Sequence, residues 1–149
     1  MKKKNLLLIN ILILFLSQSC GYEPIYSSKN FIFKIGKIDY DNNRINNQIT
    51  RSLKSFSNKN AQNILDLELS SKKEKNVISK NKSGDPQIFN LKITIDIKIK
   101  DKDDKKTFIS EQTYNNNENK FELNQFESEI EKQLISEIID DILIYLATI

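Results

Sequence analysis

Histidine is absent from this chain, and cysteine occurs once, at Cys20. The first absence removes the commonest general base and the commonest neutral metal ligand. A Ser-His-Asp arrangement is therefore excluded. The second excludes an internal disulfide and any paired-cysteine redox or zinc motif. Glycine and proline are scarce, with three and two residues, which speaks against long disordered linkers or collagen-like repeats. Asn, Lys and Ile are abundant, the composition expected of coding sequence rich in A and T. Asp101, Asp103 and Asp104 lack the glycine turn and the distal bidentate Glu of a calcium loop, so they read as a solvated turn. No metal, cofactor or catalytic group is expected, and the chain reads as a non-enzyme.

An excess of one charge is missing too, once the first residues are set aside. The formal net charge is +3, from 23 basic and 20 acidic residues. Lys2, Lys3 and Lys4 belong to an export segment, and without them the two signs balance. A nucleic-acid partner would call for a clear positive excess, so none is expected. The export segment has three regions. Met1 to Asn5 is basic, Leu6 to Leu16 is apolar except for Asn10, and Ser17, Gln18 and Ser19 are small or polar. The apolar run is too short to span a bilayer, which takes about 20 residues. Cys20 follows directly, so the segment resembles a bacterial lipoprotein signal. Residues 1–19 would be removed and Cys20 would carry a diacylglycerol, anchoring the protein to the membrane. Gly21, in the place where Asp retains such proteins at the inner membrane, favours the outer membrane.

Residues 20–30 read as a lipid-anchored tether and 31–149 as one domain. Phe31 to Tyr40 is rich in aromatic and β-branched residues and reads as a strand, with Gly36 as a bulge. Asp41-Asn42-Asn43 offers a turn and a helix N-cap. Ile45, Ile49, Leu53 and Phe56 then recur at helical spacing. From Gln62 to Ser71, Leu65, Leu67 and Leu69 alternate with Asp66 and Glu68, the pattern of a half-buried strand. Lys72 to Pro86 is polar and reads as an exposed loop or a strand extension, with a Ser-Gly-Asp-Pro turn at 83–86. Leu91, Ile93, Ile95, Ile97 and Ile99 alternate with polar residues over Ile88–Lys100, giving one apolar and one wet face. Asp101 to Lys106 reads as a charged turn and Thr107 to Tyr114 as the return strand of a hairpin. After a loop at 115–119, Leu123, Phe126, Ile130, Leu134, Ile138, Ile142 and Tyr145 mark a long amphipathic helix over Phe121–Ala147. The order β-α-β-β-β-α implies an α+β fold. It would be a two-layer sandwich, with a four-stranded, mostly antiparallel sheet packed against two helices.

Two stretches are candidates for contact with partners. Lys92, Lys98 and Lys100 lie on the wet side of the Ile88–Lys100 strand, and Lys102, Lys105 and Lys106 follow in the turn. Such a cluster suits phosphate-bearing headgroups. The second stretch is Cys20-Gly21-Tyr22-Glu23-Pro24-Ile25-Tyr26, in which Tyr22, Pro24 and Tyr26 exceed what a flexible tether needs. CGYEPIY resembles the mature start of outer-membrane lipopolysaccharide-assembly lipoproteins of the LptE type, in their alphaproteobacterial form. The stretch NNRINNQITRSLKSF is similar to that family's first helix, Thr113-Tyr114-Asn115 to the end of its last strand, and the long final helix to its own.

The resemblance implies an α+β sandwich that sits inside an outer-membrane β-barrel of the LptD type. It also implies support for that barrel's assembly and contact with lipopolysaccharide. Tyr22, Pro24, Tyr26, Lys98, Lys100, Lys102, Lys105 and Lys106 are the residues expected to meet these partners. A second expectation is a periplasm-facing lipoprotein that carries phospholipid in a pocket between sheet and helices. The Cys20→Ala variant is expected to lose fatty-acid labelling completely; a variant that still incorporates labelled fatty acid would refute the anchor.

Overall fold

The computed structural model describes residues 31–102 and 104–149. A four-stranded sheet in the order β1-β2-β3-β4 forms one layer. Its strands are β1 (Phe33–Tyr40), β2 (Asn63–Lys80), β3 (Pro86–Ile99) and β4 (Asp104–Asn115). The helices α1 (Arg44–Phe56) and α2 (Lys120–Ala147) form the second layer. β1 and β2 run parallel and are joined through α1, whereas β2, β3 and β4 are antiparallel neighbours. The expected α+β two-layer sandwich and its element order are both present.

The reason for two layers lies in β3. Leu91, Ile93, Ile95, Ile97 and Ile99 are all fully buried, and strand geometry turns their side chains to one face. Each is worth about 2 kcal/mol on burial, so that face cannot be left to water. The helices supply the cover. Asn43 caps α1 by accepting from the Asn46 backbone N–H at 2.8 Å, and Ile45, Ile49 and Leu53 face inward. Phe56 is only half-buried, with its ring 5.8 Å from that of Phe31. Asn119 caps α2, accepting from the Phe121 and Glu122 N–H groups. The α2 stripe is wider than its spacing implied. Ile135, Ile139, Leu143 and Leu146 are buried alongside Leu123, Ile130, Leu134, Ile138 and Ile142, so α2 meets α1 as well as the sheet. Phe126 departs from the stripe and is 46% exposed.

The polar stretch after Ser71 is strand, not loop. β2 runs on to Lys80 paired with β3, its register shifting on either side of Ser79, and ends with Lys80 opposite Pro86. Between them Gly84 adopts φ +90°, a conformation that favours glycine, and the Asn81 carboxamide oxygen accepts from the Ser83 and Asp85 N–H groups. The charged turn after β3 is shorter than expected. A single 3-10 turn spans Lys100–Lys102 and β4 begins at Asp104, so Lys105 and Lys106 are strand residues.

The bulge expected at Gly36 is present. Ile35 pairs with Leu65 and Ile38 with Leu67, so Gly36 and Lys37 together face Asp66. The Lys37 N–H donates to Asp66 Oδ1 at 2.7 Å. A Cβ on Gly36 would lie 2.2 Å from that same oxygen and 3.0 Å from Ile64 Cγ2, so a side chain there would push the carboxylate off the Lys37 N–H. Gly36→Ala is expected to cost about 1–2 kcal/mol in urea denaturation. The penalty should shrink in an Asp66→Ala background, where the clash is gone. An equal penalty in both backgrounds would show that the Asp66 contact is not its source.

Candidate functional site

Alternation along β3 and β4 sorts the expected lysines onto different surfaces. Lys98 pairs in register with Lys105 on one side and with Glu68 on the other, on the open face of the sheet. Lys105 Nζ is 3.2 Å from Asp96 Oδ2. The Asp96 carboxyl is held below its ordinary value, first by the Thr107 hydroxyl that donates to it and then by Lys105. Lys100 leaves the strand and pairs with Asp39, which also binds Lys37 at 2.9 Å. Lys100 foremost, then Lys37, lowers the Asp39 carboxyl, and Lys100 is raised in return. Lys102 Nζ donates to the Ile149 carbonyl at 3.1 Å.

Lys106 lies on the other face. It pairs with Ile97, whose side chain is buried beneath the helices. Its Nζ lies 4.5 Å from the Tyr145 ring and 5.4 Å from that of Phe108. This cation–π placement is completed by the Tyr145 hydroxyl, which donates to Asp104 at 2.6 Å. Burial, and then Asp104, pushes that phenol up to about 12. Lys98 and Lys105 thus share the open face, and Lys106 lies on the opposite one. Cys20, Tyr22, Pro24 and Tyr26 lie outside the described residues.

A second constellation had no motif to announce it. Glu131 of α2 is 2% exposed. One carboxylate oxygen accepts from the Arg44 guanidinium at the start of α1, and the other accepts from Lys73 of β2 at 2.6 Å. One side chain thus ties α1, β2 and α2 together. Two residues along the strand, Lys75 pairs with Glu127 of α2 and sits 4.2 Å above the Phe89 ring. The Tyr114 hydroxyl is buried beside the Glu127 carboxylate. Burial first and the Glu127 carboxylate second push it well above the ordinary phenol range. The sequence signals were faint but present. Lys73 and Lys75 continue the parity of Leu65, Leu67 and Leu69, and Glu131 falls within the apolar sector of α2.

The middle of the interlayer space is filled, and a hollow of about 590 Å³ opens at its edge, between the end of β4 and the start of α2, lined in part by Tyr114, Leu123 and Phe126. Leu67, Leu91, Ile93, Ile95, Ile135, Ile138 and Ile142 are all fully buried in one cluster. The open face is mostly polar and mixed in sign, with Lys72 paired to Glu74 at 2.8 Å, and Ile64 and Ile109 are its exposed aliphatic members at 52% and 53%.

This fold, an open sheet covered on one side by two helices, is shared with several solved bacterial lipoproteins. Rare lipoprotein B from Shewanella oneidensis superposes with a TM-score of 0.56 at 13% identity, over 77% of this chain and 94% of that one. A putative lipoprotein from Caulobacter crescentus gives 0.53 at 13% identity, over 78% and 88%. A minor lipoprotein from Acinetobacter baumannii gives 0.53 at 12%, over 79% and 94%. These likenesses concern the fold. The family follows from the sequence: residues 33–146 match the LptE lipopolysaccharide-assembly family, and the chain belongs to it. No curated protein sequence matches it. Among the described residues, no helix is long and apolar enough to cross a membrane.

The buried carboxylate makes a testable demand. Glu131→Leu removes a buried charge together with its need for partners, and is expected to leave stability within about 1 kcal/mol of the parent. Arg44→Ala combined with Lys73→Ala strands the carboxylate and is expected to cost about 3 kcal/mol. Urea denaturation of both variants decides; the reverse order would refute the role given to Glu131.

Proposed function

We propose that this protein is a non-enzymatic subunit of the machinery that inserts lipopolysaccharide in the outer membrane. In this reading it is anchored through acylated Cys20, plugs a β-barrel of the LptD type, supports that barrel's assembly and contacts lipopolysaccharide. The observation that carries the proposal is the family match over residues 33–146. The physical character of the domain is in keeping with it. Large outer-membrane barrels have polar lumens, and a plug needs a firm body with a wet, charge-balanced exterior. The open face of β2, β3 and β4 has that character, with Lys72 against Glu74 and Lys105 against Asp96. The ionic ties from Arg44, Lys73 and Lys75 to α2 brace the far half of the sheet.

Lys98 and Lys105 are the pair best placed for anionic groups of lipopolysaccharide. The alternative, a phospholipid carrier, needs an apolar cavity between the layers; side chains fill the middle of that space, and the hollow between β4 and α2 is lined largely by polar residues such as Asn115, Asn116, Asn117, Glu118 and Glu122. The absence of histidine accords with a role without catalysis. Affinity purification of the tagged protein from detergent-solubilised outer membranes is expected to recover a large β-barrel in stoichiometric amount, with lipopolysaccharide. Recovery without any barrel would overturn the proposal.

A further inference from the structure

α2 is not held to the sheet in the same way along its length. From Ile130 onward it buries an aliphatic residue at every turn, among them Leu134, Ile138, Ile142 and Leu146. Ahead of Ile130 it buries Leu123 alone. Phe121 and Phe126 are both exposed, and the Phe126 ring only leans on that of Tyr114, 6.1 Å away. The hollow between β4 and α2 lies under these same turns, with Tyr114, Leu123 and Phe126 in its walls. A helix start with one buried aliphatic side chain and a void beneath it belongs to the low-stability end of a domain.

One carboxylate stands in for the missing packing. Glu127 pairs with Lys75 of β2, and the Tyr114 hydroxyl of β4 lies beside it. Lys75 is itself seated over the Phe89 ring, which is 5.6 Å from that of Tyr114. One turn later Glu131 makes the next tie, to Arg44 and Lys73. The chain is also fixed on the other side of this stretch. The Asn116 N–H donates to the Gln87 carbonyl at 2.7 Å, and its carboxamide donates to the Pro86 carbonyl at 2.8 Å. Between Asn116 and Ile130 the segment is therefore held to the sheet by Leu123, by Phe126 against Tyr114, and by Glu127.

We infer that residues 117–129 form a flap over the end of the sheet, latched through Glu127, which opens while α2 from Ile130 onward stays folded. Opening gives up one aliphatic contact and one ion pair, and the core beyond Ile130 loses nothing. It lifts Phe126 from the Tyr114 ring and leaves Lys75 over the Phe89 ring without its carboxylate. The closed, aromatic end of the sandwich then becomes a groove continuous with the hollow, lined by two rings and a cation. The latch is responsive because Lys75 remains partly exposed within the pair, and salt screens a pair that water can reach. The ties at Glu131 mark the limit of the flap, since that carboxylate is buried and bound on both oxygens.

The test measures thiol labelling of the full chain carrying Leu123→Cys or, as the core reference, Leu134→Cys, with the labelled peptide identified by mass. Position 123 is expected to label about a hundredfold faster than position 134. Adding Glu127→Ala should raise the rate at 123 about tenfold and leave that at 134 within about twofold. Raising salt from about 50 mM to about 0.5 M should speed labelling at 123 about threefold in the parent background and leave it unchanged with Glu127→Ala. Hydrogen exchange of the chain without introduced cysteines guards against a flap loosened by Leu123→Cys itself. There Glu127→Ala should speed exchange of the amides of residues 124–128 about tenfold and leave those of residues 138–142 unchanged. Equal labelling at 123 and 134 would overturn the inference. So would a Glu127→Ala effect that is absent from residues 124–128, or one that is the same in both halves of the helix.

Discussion

The apolar face of β3 sets the terms for everything around it. Its five inward residues, Leu91 to Ile99, are fully buried, and a strand flanked on both sides can bury such a row only beneath a second layer. β2 and β4 flank it, α2 lies over β3 and β4, and α1 closes over β1 and β2. Hydrophobic cover is not continued to the far end of β2, however. There the inward positions are Lys73 and Lys75, and α2 meets them with Glu131 and Glu127. The sandwich therefore changes its cement along its length, from close-packed aliphatic side chains near the tether to charge pairs and a cation over an aromatic ring near the hairpin. Aliphatic packing stabilises more than the pairs do. The pairs contribute direction, because each carboxylate must sit opposite its cation.

This division explains what could be read before any coordinates were known. The spacing of Ile45, Ile49 and Leu53 and the alternation of β3 both repeat with the period of their element, and short windows of sequence reveal them. The bulge at Gly36 and the N-cap at Asn43 were legible for the same reason, since each depends on the chemistry of one or two residues. The end of β2 was not. Lys73 and Lys75 look like loop residues until their partners are known, and those partners lie on a helix more than fifty residues away. Phe126 was misassigned because the apolar stripe of α2 extends toward the helix start, where its cover thins.

The candidate site was legible only in its composition. That lysines would gather around the end of β3 was plain. Which surface each would occupy depended on where β4 begins. A start at Asp104 sends Lys105 to the open face and Lys106 onto the Tyr145 and Phe108 rings. A shift of one residue would exchange them, and nothing local to the turn declares that register.

β1 is less than half the length of β2. It pairs only as far as Tyr40 with Leu69, so β2 continues from Ser70 to Lys80 with β3 on one side and, among the described residues, no strand on the other. Main-chain N–H and C=O groups along that border are open to other extended chains, and such borders seed runaway strand addition in crowded compartments. Lys72, Lys73, Lys75 and Lys80 line this one, and three of them are held in ion pairs with Glu74, Glu131 and Glu127. A strand added here would have to cover these charged side chains or break their pairs. The short first strand thus carries a hazard of self-association, and the lysines that made β2 hard to recognise as a strand are what hold that hazard in check.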